Sequence, residues 1–239
     1  MARLPRLALP GELHLVIHRG RLGDAVFGDD ADRAAYLAVL RDGLADQSVE
    51  LHAYALLPDG VRLLLTPKTA GGLAGLMQFI GRRFVPAFNR KYARRGTPWE
   101  GRFRSTVVES PRYFARCLRL VEWGAPTSAL ASEGEWSSRP HHLGSRFDSL
   151  ITEHAAFFAF GNTPFEREAA YRRYGEELPG PVELAGILHA AMHGWVLGSE
   201  AFAADVGERS GRRVQPAMPG RPKKTSAPPP AGNDVTPIT

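Results

Sequence analysis

Residue types that would mark particular protein classes are scarce in this chain. Cys117 is the only cysteine among 239 residues, so no disulfide can form within the chain, and the composition suits a reducing cytoplasm. No run of about 18 apolar residues occurs and the first residues lack an apolar signal core, so we expect neither a membrane span nor a secretory signal. Lysine is also rare, with 4 residues against 26 arginines. We therefore expect a cytoplasmic protein whose positive charge is carried almost entirely by guanidinium groups.

The charged residues that are present are distributed unevenly. The net charge of +5 is small, and 44% hydrophobic and 23% charged residues are ordinary for a soluble globular protein. Residues 24–50 nevertheless hold seven acids against two arginines, whereas residues 82–104 hold eight basic residues against Glu100 alone. Clustered positive charge attracts polyanions because local potential, rather than net charge, acts on a phosphate. A nucleic-acid site and a merely solvated arginine-rich face are equally compatible with this pattern.

Hydrophobic periodicity predicts an α+β fold, with an antiparallel sheet flanked by helices. Residues 12–18 alternate apolar and polar side chains, which is typical of a half-buried strand. The turn signal Pro58-Asp59-Gly60 between two apolar runs predicts a hairpin. Pro86 interrupts a long amphipathic pattern, and we expect a kink or break there. The predicted strands span 12–18, 49–57, 61–65 and 103–108, and the predicted helices span 34–40, 73–92 and 111–123.

The C-terminal part of the chain differs in pattern from the part before it. Beyond about residue 150 the periodicity is helical only, with helices predicted at 165–174, 182–195 and 199–208. From residue 215 the chain consists mostly of Pro, Gly, Lys, Ser and Thr, which predicts disorder. We therefore divide the chain into an α+β domain (1–145), a helical C-terminal region (146–214) and a disordered basic tail (215–239).

Four segments carry a recognisable pattern in this order and spacing. They are residues 16–20, Val-Ile-His-Arg-Gly, the hairpin at 52–65, residues 99–104, Trp-Glu-Gly-Arg-Phe-Arg, and the helix at 116–124. Together they resemble the single-tyrosine (HUH-type) transposases, in particular the insertion-sequence-200-like and repeat-associated members. Residues 52–65 resemble the family's metal-binding hairpin, residues 116–124 its catalytic helix, residues 16–20 its first strand and residues 99–104 a further block. The match covers nearly the whole chain up to the tail. It implies the transposase fold and recognition of hairpin-containing single-stranded DNA.

Four positions that carry the chemistry of this family hold other residues here. In the family a histidine pair on one strand binds Mg²⁺ or Mn²⁺, and a tyrosine attacks the DNA phosphate. Gly60 and Arg62 stand where the resemblance places the two histidines. Leu120 stands at the tyrosine position, and Gly124, one turn later on the same helical face, at the position of a third metal ligand. Glycine and leucine supply neither ligand nor nucleophile, and arginine repels a cation. We therefore predict a degenerate transposase with no metal, no cofactor and no catalytic residue.

Two alternatives stay open. In the first, an active transposase uses displaced residues. Tyr113 shares a helical face with Leu120 but lies about 10 Å from it, and His14, His18 and His52 are on predicted strands. Such strand histidines are more often hydrogen-bonded structural residues than metal ligands. In the second alternative, an RNA-binding or protein-interaction module reuses the same basic face.

DNA binding, to single-stranded or hairpin DNA, is the function that we expect to survive. Guanidinium groups pair well with phosphate oxygens. Trp99 and Phe103 could stack on bases, although core packing accounts for these aromatic residues slightly better. The oligomeric state is open, and a homodimer is one possibility. The predicted DNA-binding residues are Arg19, Arg62, Arg82, Arg83, Arg90, Lys91, Trp99, Arg102 and Arg104.

Overall fold

One antiparallel sheet forms the centre of the protein. The computed structural model describes residues 6–21, 25–124, 136–177 and 180–216. The strands are β1 (Leu13–Arg19), β2 (Val49–Leu57), β3 (Gly60–Pro67) and β4 (Arg104–Val108). Their order is β2-β3-β1-β4, and all neighbours are antiparallel. Each strand overlaps the one predicted for it, and the hairpin predicted around Pro58 and Asp59 joins β2 to β3.

Two long helices cover one face of the sheet. The first, α1 (Asp30–Asp46), begins after Asp29, whose side chain accepts a hydrogen bond from the backbone N–H of Asp32 in a capping box. The second, α2 (Gly72–Lys91), is amphipathic and packs its apolar side, which includes Phe84, in one core with α1 and this face of the sheet. The predicted helices at 34–40 and 73–92 are therefore found, and the first is longer than expected.

Helix α2 continues through Pro86, so the break considered there is not found. Pro86 is exposed, and so is Arg82, whose carbonyl loses its helical partner because proline has no N–H. Water can satisfy a carbonyl on the solvent side of a helix. The opposite side of α2 is held by buried rings, those of Phe84 and Phe88. Packing against the core therefore outweighs the local penalty of the proline.

The other face of the sheet is covered by α3 (Ser110–Glu122) together with the C-terminal helices. Tyr171 and Ile187, from two of these helices, lie in one core with Leu15 and Leu64 of the sheet. The predicted C-terminal helices are found, and they pack on the sheet of the α+β region. The elements after α3 are α4 (Arg139–His142), a 3-10 helix (Ala155–Phe160), α5 (Pro164–Glu176), α6 (Pro181–His193) and α7 (Glu200–Ser210).

The protein is thus a three-layer α+β structure, as the sequence predicts. Within the described ranges, no helix is long and apolar enough to cross a membrane. The predicted tail falls, from residue 217 onward, outside the part of the chain that the structure describes.

Candidate nucleic-acid interface

The strand and the helix that resemble the transposase motifs meet in the structure. Strand β3 carries Gly60 and Arg62, and the last turn of α3 carries Leu120. The Nη1 group of Arg62 donates a hydrogen bond to the carbonyl oxygen of Leu120 at 2.8 Å. The Leu120 side chain is only 2% exposed and belongs to the core. The tertiary structure therefore brings these positions together, but the contact between them is a structural one.

Arg62 caps the C-terminal end of α3. The last carbonyls of a helix lack partners within it and carry the negative end of the helix dipole, which a guanidinium complements. Burial lowers the pKa of Arg62, the nearby Asp59 carboxylate opposes this shift, and Arg19 adds to it. Arginine stays protonated in proteins even so, because its ordinary pKa is above about 12. Arg62 therefore places a fixed positive charge between β3 and α3.

Gly60 has no room for a side chain. A Cβ built on it would lie 2.6 Å from the carbonyl oxygen of His18 and 3.2 Å from the Cα of Arg19, both of them backbone atoms of the neighbouring strand. Residues 19 and 60 are register partners in the β1–β3 ladder, so the two backbones could separate only by disturbing the sheet. A histidine does not fit at this position in this backbone.

Gly124 lies beyond α3. The helix ends at Glu122 with Trp123 as its C-cap, and Gly124 has a φ of +70°, in the left-handed region that favours glycine. Gly124 nevertheless lies on the helical face expected for it, since it lines one cleft together with Arg116 and Leu120, which precede it by two turns and by one turn.

A divalent metal does not fit the residues at these positions. Gly60 supplies neither ligand nor space, and Arg62 places a cation where the resemblance puts the metal. In the described parts of the chain, no group of three or more His, Cys, Asp or Glu side chains could hold a metal ion.

The three strand histidines are engaged in hydrogen bonds. His14 donates from Nδ1 to the carbonyl of Glu12 at 2.8 Å, and its Nε2 accepts from the N–H of Leu9 at 3.3 Å. His52 donates from Nδ1 to the carbonyl of Thr152 at 2.7 Å, and its Nε2 accepts from the hydroxyl of Thr66 at 2.9 Å. Both histidines are buried, and burial lowers the pKa of each to about 4. Both rings are thus used as neutral structural groups.

His18 and Tyr113 are also occupied by packing. The Nε2 of His18 donates to the carbonyl of Gly101 at 3.2 Å, and its ring stacks on Trp99 with 3.9 Å between centroids. Tyr113 packs against the core beneath α3, with the guanidinium of Arg116 over its ring. Neither residue is placed beside Leu120 as a replacement for the missing groups.

Three arginines project from one face of the sheet at one of its ends. Ile17 in β1 lies opposite both Arg62 in β3 and Arg104 in β4. Directly opposite residues share a face, as do residues two apart on one strand, so Arg19 is on this face as well. The backbones of Arg62 and Arg104 are about 10 Å apart, which is two strand spacings. We call Arg19, Arg62 and Arg104 the arginine row.

The arginine row lines two adjoining clefts. The Arg62 cleft, of about 290 Å³, lies beside Arg19, Arg21 and Arg62. The Arg104 cleft, of about 280 Å³, is lined by Arg19, Arg104 and further basic residues. The two clefts share Ile17, Arg19 and Glu100 in their linings. The further basic residues of the Arg104 cleft are Arg6, Arg102, His193 and Arg212.

The predicted DNA-binding residues of α2 lie on the opposite side of the sheet, beside the acids of α1. The ammonium of Lys91 is 2.7 Å from carboxylate oxygens of both Asp29 and Asp32. The guanidinium of Arg83 is 3.6 Å from a carboxylate oxygen of Asp42. The acidic and basic segments of the sequence are thus adjacent in space and partly neutralise each other. Arg82 and Arg90 are exposed on this helix.

Trp99 and Phe103 are core residues. Their exposed fractions are 4% and 8%, and both belong to the core between the sheet and α2. The Trp99 ring is covered by His18, and the centroid of the Phe103 ring lies 4.0 Å from the guanidinium of Arg6. The core interpretation is confirmed by this burial, and stacking on a base would require either ring to leave the core.

Sequence reasoning missed Arg6, Arg21 and Arg212 as parts of this surface. They lie far apart in the chain, outside the basic segment, and no periodicity marks them. Their residue type was the only available signal. Their position in the clefts follows from the packing of the N-terminal residues and the C-terminal helices on the sheet.

A buried carboxylate, also missed, holds the end of α3. Glu122 is fully buried, and its Oε2 accepts a hydrogen bond from the Tyr171 hydroxyl at 2.6 Å. Its Oε1 lies 2.7 Å from Nδ1 of His142 and accepts from the Ser138 hydroxyl. These contacts join α3 to α4 and α5, and thereby fix where the Leu120 carbonyl meets Arg62.

The fold and the site together define an α+β protein with an arginine-lined surface at one end of its antiparallel sheet. No protein-family profile and no curated protein matches the chain. Among solved structures, the chain is similar to a REP-associated tyrosine transposase bound to a REP hairpin, with 11% identity, a TM-score of 0.47, and coverage of 65% of this chain and 96% of that one.

It is also similar to a protein from Deinococcus radiodurans described as a transposase, with 25% identity, a TM-score of 0.33, and coverage of 48% of this chain and 93% of that one. Because both TM-scores lie below 0.5, we base the functional proposal on the residues of this chain.

Proposed function

We propose that this protein is a DNA-binding protein of the single-tyrosine transposase type, which binds hairpin-containing single-stranded DNA and does not cleave it. One observation carries the proposal. The guanidinium of Arg62 lies between β3 and α3, where the resemblance leads us to expect a metal. Arg62 also belongs to the arginine row and lines an open cleft.

Loss of cleavage follows from the chemistry of the residues at positions 60, 62 and 120. Phosphodiester cleavage by this family needs a nucleophile and a Lewis acid at the scissile phosphate. Leu120 has no nucleophilic atom, and Gly60 has neither a ligand atom nor space for one. Arg62 can neutralise phosphate charge, but it cannot coordinate an attacking oxygen. Each loss lowers the rate by orders of magnitude, so together they leave binding as the activity.

Retention of DNA binding follows from the charge of the sheet surface. Arg19, Arg102 and Arg104 are exposed, and in the described residues none of their guanidinium groups has a hydrogen-bond or ion-pair partner. Guanidinium groups form charge-assisted, often bidentate, hydrogen bonds with phosphate oxygens. The sheet surface is therefore the favoured DNA contact, whereas the α2 residues Arg83 and Lys91 would first have to leave carboxylate partners.

The binding test is fluorescence anisotropy with a labelled DNA hairpin that carries a single-stranded extension, across a salt series. We expect salt-sensitive binding that prefers this DNA to matched duplex and to an RNA hairpin of the same sequence. In the variant Arg19→Gln/Arg104→Gln the affinity should fall, and the salt slope should flatten by about 0.7 for each phosphate that the protein no longer neutralises. The control Arg41→Gln removes one charge from α1, on the far side of the sheet. An unchanged slope in the double variant, or a preference for RNA, would contradict the proposal.

The cleavage test incubates the same DNA with Mg²⁺ or Mn²⁺ and looks for a covalent protein–DNA adduct. We expect no covalent adduct, whether the hairpin binds tightly or not. An adduct that persists in Leu120→Ala and disappears in Tyr113→Phe would instead establish an active enzyme with a displaced nucleophile. Binding and cleavage are thus measured on one substrate and can fail independently.

A further inference from the structure

The Arg104 cleft is lined by segments from distant parts of the chain. Strands β1 and β4 contribute Ile17 and Ser105, the N-terminal segment contributes Arg6, and the end of α6 contributes residues 191–194. Arg6 is tied to the chain before β4, because its Nε donates to the carbonyl of Phe103 at 2.7 Å.

The end of α6, which lines the cleft, is fixed to strand β4. The hydroxyl of Thr106 donates to the carbonyl of Trp195, and the N–H of Leu197 donates to the carbonyl of Val107 at 2.9 Å. Gly194, with a φ of +70°, ends α6 in a left-handed conformation at the cleft. The end of α6 is therefore fixed to β4 by one backbone hydrogen bond and one short side chain, whereas Arg6 is fixed through its own guanidinium.

The charge of this cleft exceeds what its own acids can balance. Arg19, Arg102 and Arg104 make no hydrogen bond or ion pair with any part of the chain that the structure describes, and Glu100 is the only acid in the lining. Like charges held together without partners repel one another, and a bound anion relieves that repulsion. The cleft volume of about 280 Å³ is at the small end of ligand sites, which usually measure about 300–1,000 Å³.

These features favour a compact and highly charged anion over a continuous strand. A phosphodiester inside a strand carries one negative charge, whereas a terminal phosphate monoester carries about −1.5 to −2 at pH 7. The Arg104 cleft adjoins the Arg62 cleft through Arg19, so a strand that lies along the arginine row can bring its terminal phosphate to the Arg104 cleft.

We propose that the Arg104 cleft binds the phosphate monoester at the end of a DNA strand, with Arg19, Arg102 and Arg104 as its ligands. This inference rests on the proposed DNA-binding function. The protein would then distinguish phosphorylated strand ends from hydroxyl ends in addition to holding the hairpin.

The experiment compares three versions of the labelled hairpin DNA at fixed salt, with hydroxyl ends, with a 5′-phosphate and with a 3′-phosphate. We expect at least about tenfold tighter binding for one of the phosphorylated forms, because hydrogen bonds to charged groups are the strong ones. Inorganic phosphate at millimolar concentration should reduce this preference. The form that binds more tightly identifies the strand end that the cleft accepts.

Variants locate the effect. Arg102→Gln and Arg104→Gln should bring the ratio of phosphorylated to hydroxyl affinity close to one, while Arg41→Gln on α1 should keep it. Thermal unfolding checks that each variant is folded. Equal affinities for all three DNAs overturn this inference and leave the proposed function standing. A preference that survives both cleft variants overturns the assigned location, and absence of binding to every DNA overturns the proposed function together with the inference.

Discussion

Arg62 and Leu120, which occupy the positions of a metal ligand and a nucleophile in the family that the sequence resembles, are hydrogen-bonded to each other at 2.8 Å. A guanidinium at a helix C-terminus satisfies a carbonyl that the helix leaves without a partner and complements the helix dipole. The altered residues thus form a stabilising contact of their own. The same guanidinium still lines a cleft, so structural and binding roles converge on one side chain.

Replacing Arg62 by methionine should destabilise the protein. The Leu120 carbonyl loses a charged donor in a partly buried position, and hydrogen bonds to charged groups contribute about 1.5–3 kcal/mol. Urea unfolding should therefore show a lower midpoint with an unchanged slope. Arg41→Met, at an exposed position of α1, is the matched control. A midpoint equal to that of the unmodified protein would show that the Arg62–Leu120 contact contributes nothing to stability.

Restoring histidines should not restore a metal site. In Gly60→His/Arg62→His the residue 60 side chain must displace the backbone around His18, because even a Cβ would lie 2.6 Å from that carbonyl oxygen. We expect a destabilised protein whose melting temperature does not rise with Mn²⁺, since binding to the folded state is what produces such a rise. Gly60→Ala alone should lower the free energy of unfolding by about 1–3 kcal/mol, because its Cβ meets the same backbone atoms. Stabilisation of the histidine variant by Mn²⁺ would show that the strand accommodates the ligand.

The buried Glu122 should be sensitive to loss of either its charge or its partner. Tyr171→Phe removes the hydroxyl that donates to Glu122 at 2.6 Å, and we expect a loss of about 1–3 kcal/mol in the free energy of unfolding. Glu122→Gln should lower the free energy of unfolding by at least as much. One carboxylate oxygen, which only accepts hydrogen bonds, is replaced by an amide NH₂ group, which would then face other hydrogen-bond donors. Denaturant unfolding measures both effects. If neither variant changes stability, the network does not hold α3.

Stability should decrease in mild acid because of the buried histidines. Burial lowers the pKa of His14 and of His52 from 6.5 to about 4, so the unfolded chain binds more protons than the folded one between these values. The stabilising contribution is complete above pH 6.5 and is lost as the pH falls toward 4, by up to about 1.4 kcal/mol per pH unit for each histidine.

The measurement is the free energy of unfolding at several pH values between 4 and 8. His52→Asn should give a shallower dependence over this interval, although its stability at neutral pH will also be lower. A profile that is flat below pH 6.5 would mean that these rings are protonated in the folded state.

Prediction from the sequence succeeded where the signal is local. The strands and the hairpin follow from alternation of apolar residues and from the turn at Pro58 and Asp59, and the structure has them close to the predicted bounds. The break considered at Pro86 is not found, because packing of α2 against the core outweighs the local penalty of the proline.

The binding surface inferred from clustered charge stays a prediction, because charge segregation along a chain says nothing about which segments become neighbours. The acids of α1 lie beside the basic residues of α2, and two of them form ion pairs with Lys91. These ion pairs neutralise part of the positive charge that clusters in the sequence of α2. The arginines of the sheet surface that make no hydrogen bond or ion pair within the described residues come instead from two separate segments, Arg19 from β1 and Arg102 and Arg104 from the residues around the start of β4.

The sequence by itself determined the α+β class, the order of the strands along the chain and the residue types, Gly60, Arg62 and Leu120, at the positions where the resemblance expects metal ligands and a nucleophile. These depend on residue type and short-range periodicity. Only the tertiary structure decided that Arg62 caps α3, that Gly60 has no space for a ligand and that Arg19, Arg62 and Arg104 share one face. Strand register and the approach of two backbones arise from contacts between residues far apart in the chain, and no local pattern specifies them.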